Sequence, residues 1–213
     1  MTLPEGLVSC EDSLVRPTWA ATDLLLRDYY DTEWGSSVTS EQGVFERLVL
    51  ESFQSGLSWS TILKKRQAFR AAFASFIPEA VAAFTDQDRE RLMQDAGIVR
   101  NKRKIDAAIT NARAVIALRG ALAAEADAHR AGRMGEAPLT HLLRPRRSYP
   151  RHLGELVWLY QPSHQPRPRC AQEVPAQTEE SRALSLELKR RGFVFVGPVT
   201  ALALMSAIGI TNT

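Results

Sequence analysis

The sequence predicts an all-α fold. Apolar residues recur at three- and four-residue spacing along most of the chain, the segments so patterned stop at glycine or proline, and alternating strand-like runs are few. The 213 residues are 45% hydrophobic and 24% charged, ordinary for a globular protein and ample for a real core. We read residues 1–213 as one domain, with 1–15 as an N-terminal tail.

In chain order, TDLLLRDYYD (22–31) comes first as a short helix. EQGVFERLVLESFQS (41–55) places Val44, Phe45, Leu48, Val49 and Phe53 on one wide apolar face, and Gly56 offers a left-handed cap that ends it. SWSTILKKRQAFRAAFASF (58–76) sets Trp59, Ile62, Phe69 and Phe73 on one face, with Ser58 as N-cap. TDQDRERLMQDAG (85–97) starts at Thr85 with acids in its first turn and stops at Gly97. Its successor, NKRKIDAAITNARAVIALRG (101–120), aligns Ile105, Ile109, Ala112 and Ile116 and should end at Gly120.

Residues 120–152, rich in Ala and Arg and then containing Pro, read as an insertion-like segment, a helix followed by a basic loop. Residues 161–177 are a Pro-rich connection, and SRALSLELKRRG (181–192) is a late helix closed by Gly192. FVFVGPVTALALMSAIGI (193–210) carries no charge, but Gly197-Pro198 divides it. The stretch after Pro198 is about three turns, short of the ~20 residues a bilayer span needs, so the expectation is a buried C-terminal helix and no membrane partner.

Charge is unevenly spread. Residues 1–60 hold three Arg and ten Asp or Glu, whereas the rest of the chain is basic, against a net charge of +3 overall. The basic groups cluster at 64–70, 100–104, 144–151 and 189–191, which suits a polyanionic partner, with nucleic acid the leading candidate. Two cysteines, Cys10 and Cys170, build neither a disulfide framework nor a four-cysteine metal site, and point to a reducing, cytoplasmic setting. MTLPEGLVSCED lacks the basic-then-apolar form of a signal peptide.

Three features carry chemistry. DAGIVRNKRKI (95–105) joins two amphipathic helices through a short turn, so Gly97 and the start of the second helix present an anion-favouring end ringed by Arg100, Lys102, Arg103 and Lys104. Such phosphate contacts fix register on a duplex without reading its sequence. Trp19, Trp34 and Trp59 cluster early in the chain with Tyr29 and Tyr30 between them. Glu51 borders the apolar stripe at a helix end where the macrodipole disfavours negative charge. Aromatic faces and one carboxylate suit a flipped, cationic purine. The plainer alternatives are core packing for each ring and a surface i−4 pair with Arg47 for Glu51.

YYDTEWG (29–35), LESFQSGLSWSTILKKR (50–66), LMQDAGIVRNKRKIDAAITNARA (92–114) and LKRRGFVFVGP (188–198) together resemble the 3-methyladenine DNA glycosylase I family, of the helix–hairpin–helix superfamily. The resemblance implies a two-lobed helical fold that excises 3-methyladenine from double-stranded DNA by hydrolysis. No lyase-type lysine is evident, so the expectation is a monofunctional enzyme that leaves an abasic site, and a monomer. The resemblance also implies that Glu51 hydrogen-bonds the alkylated base, Tyr29 lies beside it, Trp59 stacks on it, and Trp19 and Trp34 line or support the pocket. Leu57 becomes a candidate wedge and Gln54 a candidate plug for the gap left in the duplex. The resemblance places no counterpart for 120–152. A non-catalytic helix–hairpin–helix module that binds lesions without cutting is the competing reading.

One departure matters. The family binds a structural zinc through two Cys and two His from both chain ends, yet Pro17 and Tyr30 stand at the first two ligand positions and the others would come after ITNT (210–213). Cys10, Cys170 and the histidines at 129, 141, 152 and 164 offer no substitute set with tetrahedral spacing. The expectation is no metal and no cofactor, with the ends tied by ordinary packing in which Trp19 takes part.

Overall fold

The computed structural model describes residues 3–143, 148–165 and 168–212; the arginines of the 144–151 cluster before Ser148 lie outside them. Among the described residues the chain runs β1 (Leu7–Ser9), β2 (Val15–Pro17), α1 (Leu24–Thr32), α2 (Glu41–Gln54), α3 (Trp59–Ala72), α4 (Pro78–Ala82), α5 (Asp86–Gln94), α6 (Lys102–Arg130), α7 (Leu153–Trp158), α8 (Glu179–Arg190) and α9 (Pro198–Ala207).

Local chemistry explains most boundaries. The hydroxyl of Ser40 accepts from the N–H of Gly43 to start α2, and that of Ser58 accepts from Thr61 to start α3. Thr85 and Asp88 form a capping box on α5. Gly56 is left-handed at φ 80°, as the end of α2 requires, and Gly192 closes α8 at φ 87°. Pro198 opens α9, whose Ala201, Leu204 and Met205 are fully buried.

α2 is the central helix, packed by α3, α6, α7 and α9. Its Val44, Phe45, Leu48 and Phe53 join Ile62 and Phe69 of α3, Phe73 just after it, and Ile105, Ile109 and Val115 of α6 in one large core. A second small cluster, Leu26, Tyr29 and Leu63 with Trp34 and Trp59 packed on it, lies between α1 and α3. α6 is the described helix long and apolar enough to cross a bilayer, but its apolar face is spent in this core.

Several expectations need correction. α6 does not end at Gly120; it continues to Arg130, because Leu122 and Ala128 extend the buried face past that glycine. The penalty for a mid-helix Gly is only about 1 kcal/mol, which tertiary burial overrides. On the same helix Ile116 turns partly to solvent while Val115 and Leu118 carry the stripe. Residues 121–130 are therefore the last third of that helix and share its buried face. Residues 1–15, in turn, are not simply a tail, since Leu7–Ser9 pairs antiparallel with Val15–Pro17.

Candidate active site

Glu51 sits in the last turn of α2 and is only 5% exposed. Burial pushes its carboxyl up to about 8, with the Arg47 charge pulling the other way. The i−4 surface pair with Arg47 is not what forms. Arg47 donates to Glu33 at 2.9 Å and lies 3.5 Å from Glu46. Arg66 bridges the same two acids, at 2.7 Å to Glu33 and 2.8 Å to Glu46, and Arg70 adds a bond to Glu46. Each nearby arginine is thus matched to Glu33 or Glu46, and Glu51 is left short of countercharge in a desolvated place.

The aromatic rings form a row. Trp59 lies 5.4 Å from Tyr29, Tyr29 is 6.0 Å from Trp34, Trp34 is 5.6 Å from Trp19, and Trp19 is 5.6 Å from Tyr30. Tyr29 is buried, and burial followed by the Glu51 charge raises its phenol, so it stays a neutral donor. Trp59 opens α3 immediately after its Ser58 cap, and its indole Nε1 is buried with no hydrogen-bond partner. Trp34 is placed by the loop after α1, where the Gly35 N–H donates to Ala207 O at 3.3 Å. That approach needs Gly209, at φ 79°, since a Cβ there would meet Gly35 O at 2.4 Å.

A cavity of about 570 Å³ opens beside the outer end of this row, lined by Trp19, Tyr30, Trp34 and, opposite them, Cys170, Ala171 and Val174. Glu51, Tyr29 and Trp59 are not part of that lining; the Tyr29 ring stands between Trp34, which lines the cavity, and Trp59. The structure therefore brings the predicted base-contacting set together around α1, the end of α2 and the start of α3.

The segments expected to face DNA are less uniform. Leu57 projects from the turn after α2, with its N–H bonded to Gln54 O and its carbonyl accepting from the Gln54 amide at 2.9 Å. Gln54 thus braces the turn that displays Leu57. Arg100, Lys102 and Arg103 are exposed at the tip between α5 and α6. The Gly97 N–H is engaged by Asp95 Oδ1 at 2.7 Å, and a Cβ there would press on Ala68 and Asp95 at 2.9 Å, so this glycine serves close packing of the hairpin on α3.

Lys104 departs from the phosphate-contact expectation. Only 8% exposed, it donates to Phe53 O at 2.9 Å and Ser55 O at 2.6 Å, the unpaired carbonyls at the end of α2. A cation at this helix end ties the hairpin to the turn carrying Glu51. A signal for it exists in the sequence: Lys104, Ala108, Asn111 and Val115 recur on one buried face of α6. Sequence reasoning also misses Arg66, although it stands four residues after Ile62 and three before Phe69, inside an apolar stripe.

The residues do not fit the zinc that the resemblance implied. Pro17 has no ligand atom and lies in β2, and the ring of Tyr30 is turned onto Trp19. Beside those positions stands a different fastening. Arg16, buried, pairs its guanidinium with Asp31 of α1 at 2.9 and 2.7 Å and with Asp12 at 2.8 and 2.7 Å.

Comparison with known proteins agrees with this geometry. A family model described as methyladenine glycosylase matches residues 19–131 and 140–213, which includes the start and end of the segment that had no placed counterpart. DNA-3-methyladenine glycosylase 1 of Escherichia coli (strain K12) is 39% identical over 197 residues, covering 91% of this chain and 90% of that protein. A crystal structure of a 3-methyladenine DNA glycosylase I superposes with a TM-score of 0.73 at 34% identity, over 92% of this chain and 93% of that one. A tyrosine-to-phenylalanine variant of 3-methyladenine DNA glycosylase I, in complex with 3-methyladenine, gives a TM-score of 0.74 at 27% identity, covering 92% and 91%. With the fold, the buried glutamate and the ring row in place, the chain belongs to the methyladenine glycosylase family of DNA repair enzymes.

Proposed function

We propose that this chain, acting as a monomer in the cytoplasm, draws N3-alkylated adenine out of duplex DNA and hydrolyses its N-glycosidic bond, leaving an abasic site. The observation that carries the reading is Glu51, a carboxyl buried at 5% exposure, its counter-ions diverted, beside Tyr29 and an unpartnered Trp59 N–H. An alkylated purine in DNA is cationic, so it supplies the missing positive charge, and the rings favour its electron-poor face.

Catalysis comes from that charge arrangement. As the bond between C1′ and the purine nitrogen breaks, its electron pair moves into the ring and cancels the positive charge. Water adds its hydroxyl to C1′ and releases a proton. Glu51 acts by holding the base in the orientation and charge state from which it leaves. Tyr29 and Trp59 supply ring contact and donors, while Trp34 and Trp19 close the row. Arg100, Lys102 and Arg103 dock phosphates and Leu57 fills the gap in the stack, braced by Gln54. Two unpaired cysteines accord with a reducing compartment.

The deciding experiment is base release from methylated duplex. Wild-type protein should liberate 3-methyladenine and leave alkali-labile abasic sites, and Glu51→Gln should lose at least 100-fold in rate, roughly the effect of removing one charge-stabilising group. Binding without release by the wild type would instead identify a lesion-recognition module.

A further inference from the structure

The apolar run before α9 contains a feature that neither the fold nor the base pocket uses. Phe193 and Val196 are buried, but between them Val194 is 39% and Phe195 37% exposed. Phe195 also holds φ at 56°, a left-handed conformation that bulky residues rarely adopt.

Three buried polar side chains from three helices hold this segment in place. Asn111 of α6 accepts from the Val194 N–H at 2.8 Å and donates to the Val194 carbonyl at 3.0 Å. Ser185 of α8 donates to Val196 O at 2.5 Å, and Ser52 of α2, the residue after Glu51, shares its one hydroxyl proton between Leu48 O at 2.8 Å and Phe195 O at 3.3 Å. Asn111, Ser52 and Ser185 are each at most 4% exposed. A strained backbone held by that many buried bonds presents an aromatic ring outward instead of burying it. The ring lies 5.9 Å beneath the guanidinium of Arg103, on the first turn of the basic hairpin's second helix.

We propose that Phe195 is a DNA-contacting residue: its ring packs on a deoxyribose face of the duplex while Arg103 above it neutralises the adjoining phosphate. Duplex DNA is the occupant because the patch is continuous with the exposed cations of the hairpin and is anchored to the last turn of α2, from which the base-binding glutamate projects. Neither contact reads a base, so the effect is independent of sequence. The inference rests on the hairpin being the DNA face.

The test compares Phe195→Ala, Phe195→Gly and Arg103→Ala in three measurements: Kd for an unmodified duplex, binding of free 3-methyladenine, and thermal midpoint. Both Phe195 variants should weaken duplex binding about tenfold, as loss of an aromatic contact to nucleic acid does. They should bind the free base within twofold of wild type. Glycine, which relieves the left-handed backbone, should unfold no lower than wild type. If Arg103→Ala weakens duplex binding and the Phe195 variants do not, this inference fails while the hairpin reading stands; if none of the three weakens it, both fall. Equal loss of free-base binding would make Phe195 a pocket residue, and unfolding of both Phe195 variants would make it structural; either result overturns the proposal.

Discussion

Lys104 Nζ lies 2.6 Å from the carbonyl oxygen of Ser55, so the second helix of the basic hairpin is fastened to the end of the helix that carries Glu51. One cation of the cluster thereby serves the fold while its three exposed neighbours face outward. Lys104→Met should remove two charge-assisted bonds to helix-end carbonyls and cost about 2–3 kcal/mol of stability. Its duplex binding should keep the wild-type salt dependence, whereas Lys102→Ala should flatten the slope by about one. Titrations at several salt concentrations, with chemical denaturation alongside, check both statements.

Glu51 sets a pH signature. Its carboxyl is raised from 4.5 to about 8 by burial. Between those values the folded chain keeps a proton that the unfolded chain has released, so stability falls as pH rises through that window and levels off above it. The whole fall is on the order of a few kcal/mol. Glu51→Gln should abolish this slope and be the more stable protein at pH 9 in the absence of DNA. Binding a cationic N3-methylated adenine nucleotide near pH 7 should expel the proton. Calorimetry in buffers of different ionisation enthalpy should then register close to one proton released, and none for the glutamine variant.

What the sequence disclosed and what it concealed divide along physical lines. Helices bounded by strong local chemistry, such as α3 after Ser58, α2 before Gly56 or α5 after Thr85, were legible because caps act within a few residues. Glu51 was legible as a carboxylate out of place on an apolar face. The extension of α6 past Gly120 was not, because burial of Leu122 and Ala128 by distant segments decides it. The β1–β2 pairing, the Glu33–Arg66–Glu46 network and the Lys104 fastening join residues far apart in the chain, and periodicity is blind to partners at that range. Lys104 was also obscured by company: three flanking cations made it look like surface.

Arg16 and Asp31 bear on metal dependence. Their two-pronged pairing, with Asp12 on the other side of the guanidinium, holds the N-terminal hairpin to α1 next to Trp19. With Pro17 and Tyr30 where the family has ligands, base release should be unchanged after exhaustive chelation, and elemental analysis should find no stoichiometric zinc. Arg16→Met should lower the thermal midpoint and loosen Trp19, seen as a red-shifted tryptophan emission, and chelator should add nothing to that effect.

Trp59 separates ring from donor. Its indole N–H is buried without a partner, a cost of about 1–3 kcal/mol to the empty protein. Trp59→Phe keeps an aromatic face and removes the orphan, so the variant should unfold at or above the wild-type midpoint even though it loses ring area. If the N–H meets an acceptor on the extracted base, the same variant should bind free 3-methyladenine about tenfold more weakly, and Trp59→Ala, which loses the ring as well, weaker still. Paired melting curves and binding isotherms measure the two effects independently. Unchanged affinity in the phenylalanine variant would restrict Trp59 to stacking.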